Sequence, residues 1–193
     1  MWRHLFVGVL ALAWALDAAA QPDRSVAEWL REGGYVLYMR HASTDFSQND
    51  SRMTSFEDCT TQRNLTDRGR DEARLLGQHV NRLKIPIGEV LASPFCRTMD
   101  TARLAFGKAT PTNDVRGGPA DNDGGRYAAL QHLLSSRVRK GENRVISSHG
   151  NPFYALAGPP YLAEGELAVV RPETARFSVV ARLRLEDWAN LGR

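Results

Sequence analysis

At 193 residues, with 25 lysine plus arginine against 22 aspartate plus glutamate and a formal net charge of +3, the chain is sized for one domain and only mildly basic. It has no lysine run and no basic stripe interleaved with aromatics, which argues against nucleic-acid binding. The five histidines are widely separated, with no H-x-x-x-H and no paired aspartate cluster, so metal-dependent hydrolysis is disfavoured and no metal or organic cofactor is expected.

The first twenty residues read apart from the rest. Arg3 and His4 precede an apolar run from Leu5 to Leu16, and Ala18-Ala19-Ala20 follow. A basic start, a short apolar centre and an A-x-A end describe a cleavable secretory signal. The competing reading is a permanent N-terminal anchor, but the run falls short of the ~20 residues a spanning helix needs. Cleavage after Ala20 leaves residues 21–193 as a single domain with the charge still +3. It predicts an exported, periplasmic protein with no stable membrane insertion once the signal is gone.

Ser25 with Glu28 is a capping box opening a short helix that ends at Gly33-Gly34. The apolar stretch Tyr35–Met39 reads as a strand, delivering Arg40 and His41 at its C-terminal end. Residues 42–62 are polar throughout and form a long loop, a length that in compact domains is usually functional. Thr66 and Asp67 start a second helix, carried by Ala73, Leu76, Val80 and Leu83 at helical spacing and stopped by Pro86. Val90–Ala92 is a second strand, and a third helix spans Arg97–Phe106, with Gly107 past its end. Residues 107–125 read as an irregular connection with one weak strand. A fourth helix over Arg126–Arg139 follows, then a strand Arg144–Ser148 ending in His149-Gly150, and a short helix after Asn151-Pro152. Leu167–Val170 and Phe177–Leu185 read as a closing hairpin with Pro172 in its turn. Strands alternating with helices predict an α/β fold, a three-layer α/β/α sandwich on a mostly parallel sheet.

In open α/β sheets the strand C-termini face the ligand crevice. An arginine there offers a planar fork to phosphate or carboxylate, and a histidine beside it serves as nucleophile or proton shuttle. Taken singly, these residues have blander readings: a satisfied structural histidine for His41, half of an ion pair for Arg40, a helix start for Arg97. His79 and His132 sit in helices with no motif around them and read as structural.

The residues R-H at Arg40-His41, S-P-x-x-R-x-x-x-T-A from Ser93 to Ala102, and H-G at His149-Gly150, with L-T-x-x-G-x-x-x-A from Leu65 to Ala73, occur in one order along the chain. In this the sequence resembles the histidine phosphatase superfamily (phosphoglycerate-mutase-like). The resemblance implies that His41 takes the phosphoryl group as phosphohistidine. It also implies that Arg40, Arg97 and His149 hold the phosphate oxygens, the arginines standing in for a cation. The partners implied are a small phosphorylated substrate and inorganic phosphate. The general acid is open. Asp114, Asp121 and Asp123 follow the third helix, with Asp121 or Asp123 preferred, and Glu164 and Glu166 are alternatives that read equally well as a solvated turn. Thr44 is placed to donate to the phosphate or to cap a turn. Ala42, in place of the mutases' glycine and with no glutamate after it, favours hydrolysis over mutase chemistry. In an exported chain Cys59 and Cys96 are a disulfide candidate, the alternative being two small buried thiols. The resulting reading is an exported, metal-independent phosphomonoesterase, with envelope phosphosugars such as lipopolysaccharide-core heptose phosphate as one substrate class. The alternative is a non-catalytic phosphate-ligand-binding module on the same fold.

Overall fold

A computed structural model describes residues 25–117 and 125–191. The segment read as an export signal, residues 1–20, lies outside them. Six helices are described: α1 (Val26–Glu32), α2 (Asp67–Arg82), α3 (Cys96–Phe106), α4 (Ala128–Ser135), α5 (Gly150–Ala157) and α6 (Leu185–Trp188). The strands are β1 (Val36–Arg40), β2 (Ile87–Ala92), β3 (Thr110–Pro111), β4 (Asn143–Ser148), β5 (Leu167–Glu173) and β6 (Arg176–Leu183). They form one sheet in the order β3-β2-β4-β1-β5-β6. The first four strands of that order run parallel; β5 is antiparallel to β1, and β6 to β5.

Alternation along β1 fixes the layers. Leu37 and Met39 point to one face, where they join Leu76 and Val80 of α2, Met99 and Ala102 of α3, and Leu30 of α1. Val36 and Tyr38 point to the other, against Leu130 and Leu134 of α4 and Phe153 of α5. Strands buried on both faces read as continuous apolar runs, and this is why β1 is so plain in the sequence. The expected three-layer α/β/α sandwich with a parallel centre is the fold observed.

Several boundaries differ from the sequence reading. β1 runs one residue further, because the Arg40 N–H still donates to the Glu166 carbonyl at 3.1 Å. β2 begins at Ile87, where it pairs with Asn143 across an irregular step before Val90. The fourth helix ends at Ser135, well short of Arg139. Arg144 Nη1 donates to the Leu133 carbonyl at 2.9 Å and to Ser136 Oγ, satisfying groups that a longer helix would engage. Pro172 lies inside β5 rather than in the turn. β1 pairs only as far as Val170, so the missing N–H of Pro172 costs no bond to β1. The turn falls at Thr174-Ala175, with Ala175 at φ 62°. α5 starts at Gly150, so that Pro152 occupies its first turn, where no intrahelical donor is needed. α6 had no sequence signal; its Trp188 is fully buried against the α1/α2 face.

Two glycines set close approaches. A Cβ on Gly69, in the first turn of α2, would lie 2.0 Å from the Ser43 carbonyl, so glycine lets α2 press against the chain just beyond His41. A Cβ on Gly77 would lie 2.3 Å from the Ala105 carbonyl, where α2 meets α3.

Candidate active site

β1 and β4 are adjacent and parallel, so their C-terminal ends bring His41 and His149 to one rim, ring centroids 5.6 Å apart. The His41 N–H donates to the Ser148 carbonyl at 3.0 Å, extending the ladder one step and fixing the backbone. The side chain is 2% exposed. Its Nδ1 stands 2.9 Å from the Ala42 carbonyl. A carbonyl only accepts, so Nδ1 carries the proton and Nε2 keeps a free lone pair. Ala42 is held in turn: its N–H donates to Thr101 Oγ1 at 3.1 Å, and that hydroxyl donates to the Arg97 carbonyl at 2.7 Å. The threonine of the S-P-x-x-R-x-x-x-T-A run thus ties the His41 tautomer to the first turn of α3.

Burial pushes the His41 imidazole down to about 3, helped by Arg97, Arg40 and Arg63 and opposed by the bond to Ala42. His149 is driven well below the ordinary histidine range by burial first, then by Arg97 and His41. Its Nε2 is 2.9 Å from Ser93 Oγ, its carbonyl accepts from Tyr38 at 2.7 Å, and Phe95 packs edge-on with centroids 5.1 Å apart. Both rings are therefore neutral through the mildly acid range. Turnover should show no acid-side loss with an apparent pKa near 6.5; a pH–rate profile carrying such a limb would contradict the neutral state assigned to these rings. Stability carries the opposite sign. The unfolded chain binds protons on these histidines below about 6.5 and the folded chain does not, so unfolding free energy should fall as pH drops below that value. The slope is on the order of 1.4 kcal/mol per pH unit per histidine, read from denaturant midpoints.

Three guanidiniums surround the pair. Arg97, 5% exposed, begins α3; its Nη1 donates to Asp50 Oδ1 at 3.1 Å and to the Arg63 carbonyl at 3.3 Å, and its fork lies 4.4 Å from the Phe95 ring centroid. Arg40 donates from Nη1 to the Leu162 carbonyl at 2.9 Å and from Nη2 to Glu164 Oε1 at 3.4 Å. Arg63 lies over the Phe46 ring at 4.8 Å, with no carboxylate in salt-bridge reach among the described residues. The Nε atoms of Arg63 and Arg97 are buried without a hydrogen-bond partner there. All three arginines, both histidines and Asp50 line one cavity of about 210 Å³, with Phe95 and Tyr161 on its walls. Neutral imidazoles beside three guanidiniums, of which Arg63 has no carboxylate in reach among the described residues, suit a small oxyanion.

Glu164 stands behind this cavity. Its carboxylate accepts from the Thr44 hydroxyl at 2.7 Å, the Thr44 N–H at 3.1 Å and Arg40, and lies 3.9 Å from His41 Nδ1. Thr44 therefore spends its hydroxyl proton on Glu164 and does not line the cavity, contrary to the sequence expectation of a phosphate donor. Glu166 also lies outside it: the carboxylate accepts from the Ala163 N–H at 2.7 Å, closing a turn, and borders a separate cavity of about 300 Å³. Asp114 is exposed on a 3-10 turn. Asp121 and Asp123 lie outside the described residues. Among those described, no group of three or more His, Cys, Asp or Glu is arranged to hold a metal ion, and no helix is long and apolar enough to cross a membrane.

Sequence reasoning missed Asp50, Arg63, Gln62 and the linking role of Thr101. Cys59 and Cys96 are joined across 37 residues, which pins the loop to the start of α3. Gln62 reinforces the join: its Oε1 accepts from the Cys96 N–H at 3.0 Å and its Nε2 donates to the Phe56 carbonyl at 3.1 Å. Replacing both cysteines by serine should lower the free energy of unfolding by about 2–4 kcal/mol, as expected for a loop of this size. An unchanged urea midpoint would show that the cross-link does not constrain the unfolded chain.

A strand-end histidine with a free Nε2, a second buried histidine and three guanidiniums thus converge on one cavity at the rim of an α/β sheet. The model of the histidine phosphatase superfamily (branch 1) matches residues 36–132, half of the chain, and the chain belongs to that family. It is 33% identical over 118 residues to an acid phosphatase of Mycobacterium tuberculosis, a match covering 61% of this chain and 53% of that one, so it spans about half the relative's length. Two solved structures share the fold. One is the protein histidine phosphatase SixA complexed with tungstate (24% identity, 79% of this chain and 98% of that chain, TM-score 0.54). The other is a phosphoserine phosphatase from Entamoeba histolytica in complex with phosphoserine (11% identity, 79% and 98%, TM-score 0.55).

Proposed function

We propose that this protein is a metal-independent phosphomonoesterase that hydrolyses phosphate esters through a phosphohistidine at His41. The observation that carries the reading is the fixed Nδ1–H tautomer of His41, which leaves Nε2 as the nucleophilic lone pair at a cavity lined by Arg40, Arg63, Arg97 and His149. In the first step Nε2 attacks phosphorus in line with the leaving oxygen. The arginines take the charge that spreads over the equatorial oxygens. As the imidazole acquires positive charge, the Ala42 carbonyl and the Glu164 carboxylate lie on its Nδ1 side and stabilise it. Water then attacks the phosphohistidine and releases inorganic phosphate. The acid phosphatase match and the phosphatases sharing the fold support the reaction class.

The proposed setting is outside the cytoplasm, from the signal-like residues 1–20 and the Cys59–Cys96 bridge. Envelope phosphosugars, including lipopolysaccharide-core heptose phosphate, are the substrate class this setting favours. The test is hydrolysis of p-nitrophenyl phosphate in excess chelator over the acid-to-neutral range. Turnover is expected. Vanadate binding without turnover of any ester would instead identify a phosphate-ligand-binding module.

A further inference from the structure

We propose that Asp50, on the loop between β1 and α2, is the proton donor to the leaving group; this rests on the phosphohistidine reading above. Asp50 is the one carboxylate among the described residues lining the cavity. Glu164, the nearest other carboxylate, lies on the Nδ1 side of His41, whereas an in-line leaving group departs on the far side of the phosphoryl from Nε2. Its oxygens are also taken by Thr44 and Arg40.

Asp50 is held where a leaving group must pass. Its Oδ1 accepts from Arg97 Nη1 at 3.1 Å and from the Arg63 N–H at 2.8 Å, while no bond engages Oδ2 among the described residues. The side chain is about a third exposed, against 6% for Arg97, so the carboxylate stands between the buried cation and solvent. The loop that carries it is tied down by the Cys59–Cys96 bridge and by Gln62, giving the carboxylate a fixed position. The groups facing it are Arg97 of α3 and Arg63 of the loop end, with Arg40, His41 and His149 across the cavity.

The chemistry balances. As the Nε2–P bond forms and the P–O bond to the leaving group breaks, the Oδ2 proton passes to that oxygen, which departs as a neutral alcohol. The Asp50 carboxylate then takes a proton from the water that attacks phosphorus. The N–P bond breaks, phosphate leaves, and Asp50 is again protonated.

Asp50→Asn keeps the size and the Oδ1 acceptor but removes the proton. It should lower kcat for an alkyl phosphate, a poor leaving group, by roughly 10²–10³-fold, and for p-nitrophenyl phosphate by less than about tenfold. Asp50→Glu should recover part of the alkyl phosphate rate. Inhibition by inorganic phosphate reports an intact pocket in each variant. Equal losses on both esters, or no loss on either, would overturn the assignment in favour of Asp121 or Asp123. Absence of turnover by the unmodified protein on both esters would overturn the phosphomonoesterase reading itself, and this inference with it.

Discussion

Replacing His41 by alanine is expected to reduce turnover of any phosphate ester by about 10⁴-fold or more while the protein stays folded. The size of the effect follows from the role: with the nucleophile gone, the remaining cations still bind phosphate but no covalent intermediate forms, and in such sites loss of the nucleophile alone removes most of the rate enhancement. Survival of the fold follows from the contacts. The His41 ring is buried and neutral, and its one hydrogen bond among the described residues is Nδ1–H to Ala42. The strand around it is held by backbone bonds to β4 and by Thr101, which the substitution leaves in place. Truncation should cost about 1–3 kcal/mol, the range for a lost buried side chain with one hydrogen bond. The measurement is kcat for p-nitrophenyl phosphate together with a denaturation midpoint. Undiminished kcat in a folded variant would exclude His41 as the nucleophile.

Arg97→Ala is expected to lower kcat/KM by about 10²–10³-fold, the range for removing one preorganised donor from a site where oxyanion charge develops. The same change should weaken inhibition by vanadate, because a trigonal-bipyramidal oxyanion draws on the same fork. Outside the site Arg97 has little other work: it is 5% exposed, its Nε has no partner among the described residues, and its Nη1 is shared between the cavity's Asp50 and the Arg63 carbonyl. Lysine should restore little, since it lacks the planar fork and the stacking on Phe95. Unchanged vanadate inhibition in Arg97→Ala would place the phosphate elsewhere.

What the sequence made legible was what period and punctuation encode. β1 is an apolar run and β4 a Val145-Ile146 pair, each ended by charged or polar residues, and a parallel pairing of the two strands is enough to bring His41 and His149 together. The S-P-x-x-R-x-x-x-T-A run placed Arg97 at a helix start because Ser93-Pro94 stops a strand and the apolar spacing then changes. The loop partners were not legible. Asp50 lies in a polar stretch with no period, and its bond to Arg97 spans 47 residues. Arg63 sits just before the L-T that opens α2, next to a motif but outside it. Glu164 was expected in a crevice or a solvated turn; it is instead the carboxylate that orders Thr44 and Arg40, a role set by a contact 120 residues away in sequence. α6 is four residues long and has no periodicity to detect, yet its tryptophan completes one face of the core.

The measurement that bears most directly on the account is rapid-quench trapping with a ³²P-labelled phosphate ester, followed by mapping of the labelled side chain and of the nitrogen that carries it. The predicted result is an acid-labile, alkali-stable phosphoramidate on Nε2 of His41, since Nδ1 holds its proton against Ala42. Label on Nδ1, on another residue, or on no residue during active turnover would contradict it.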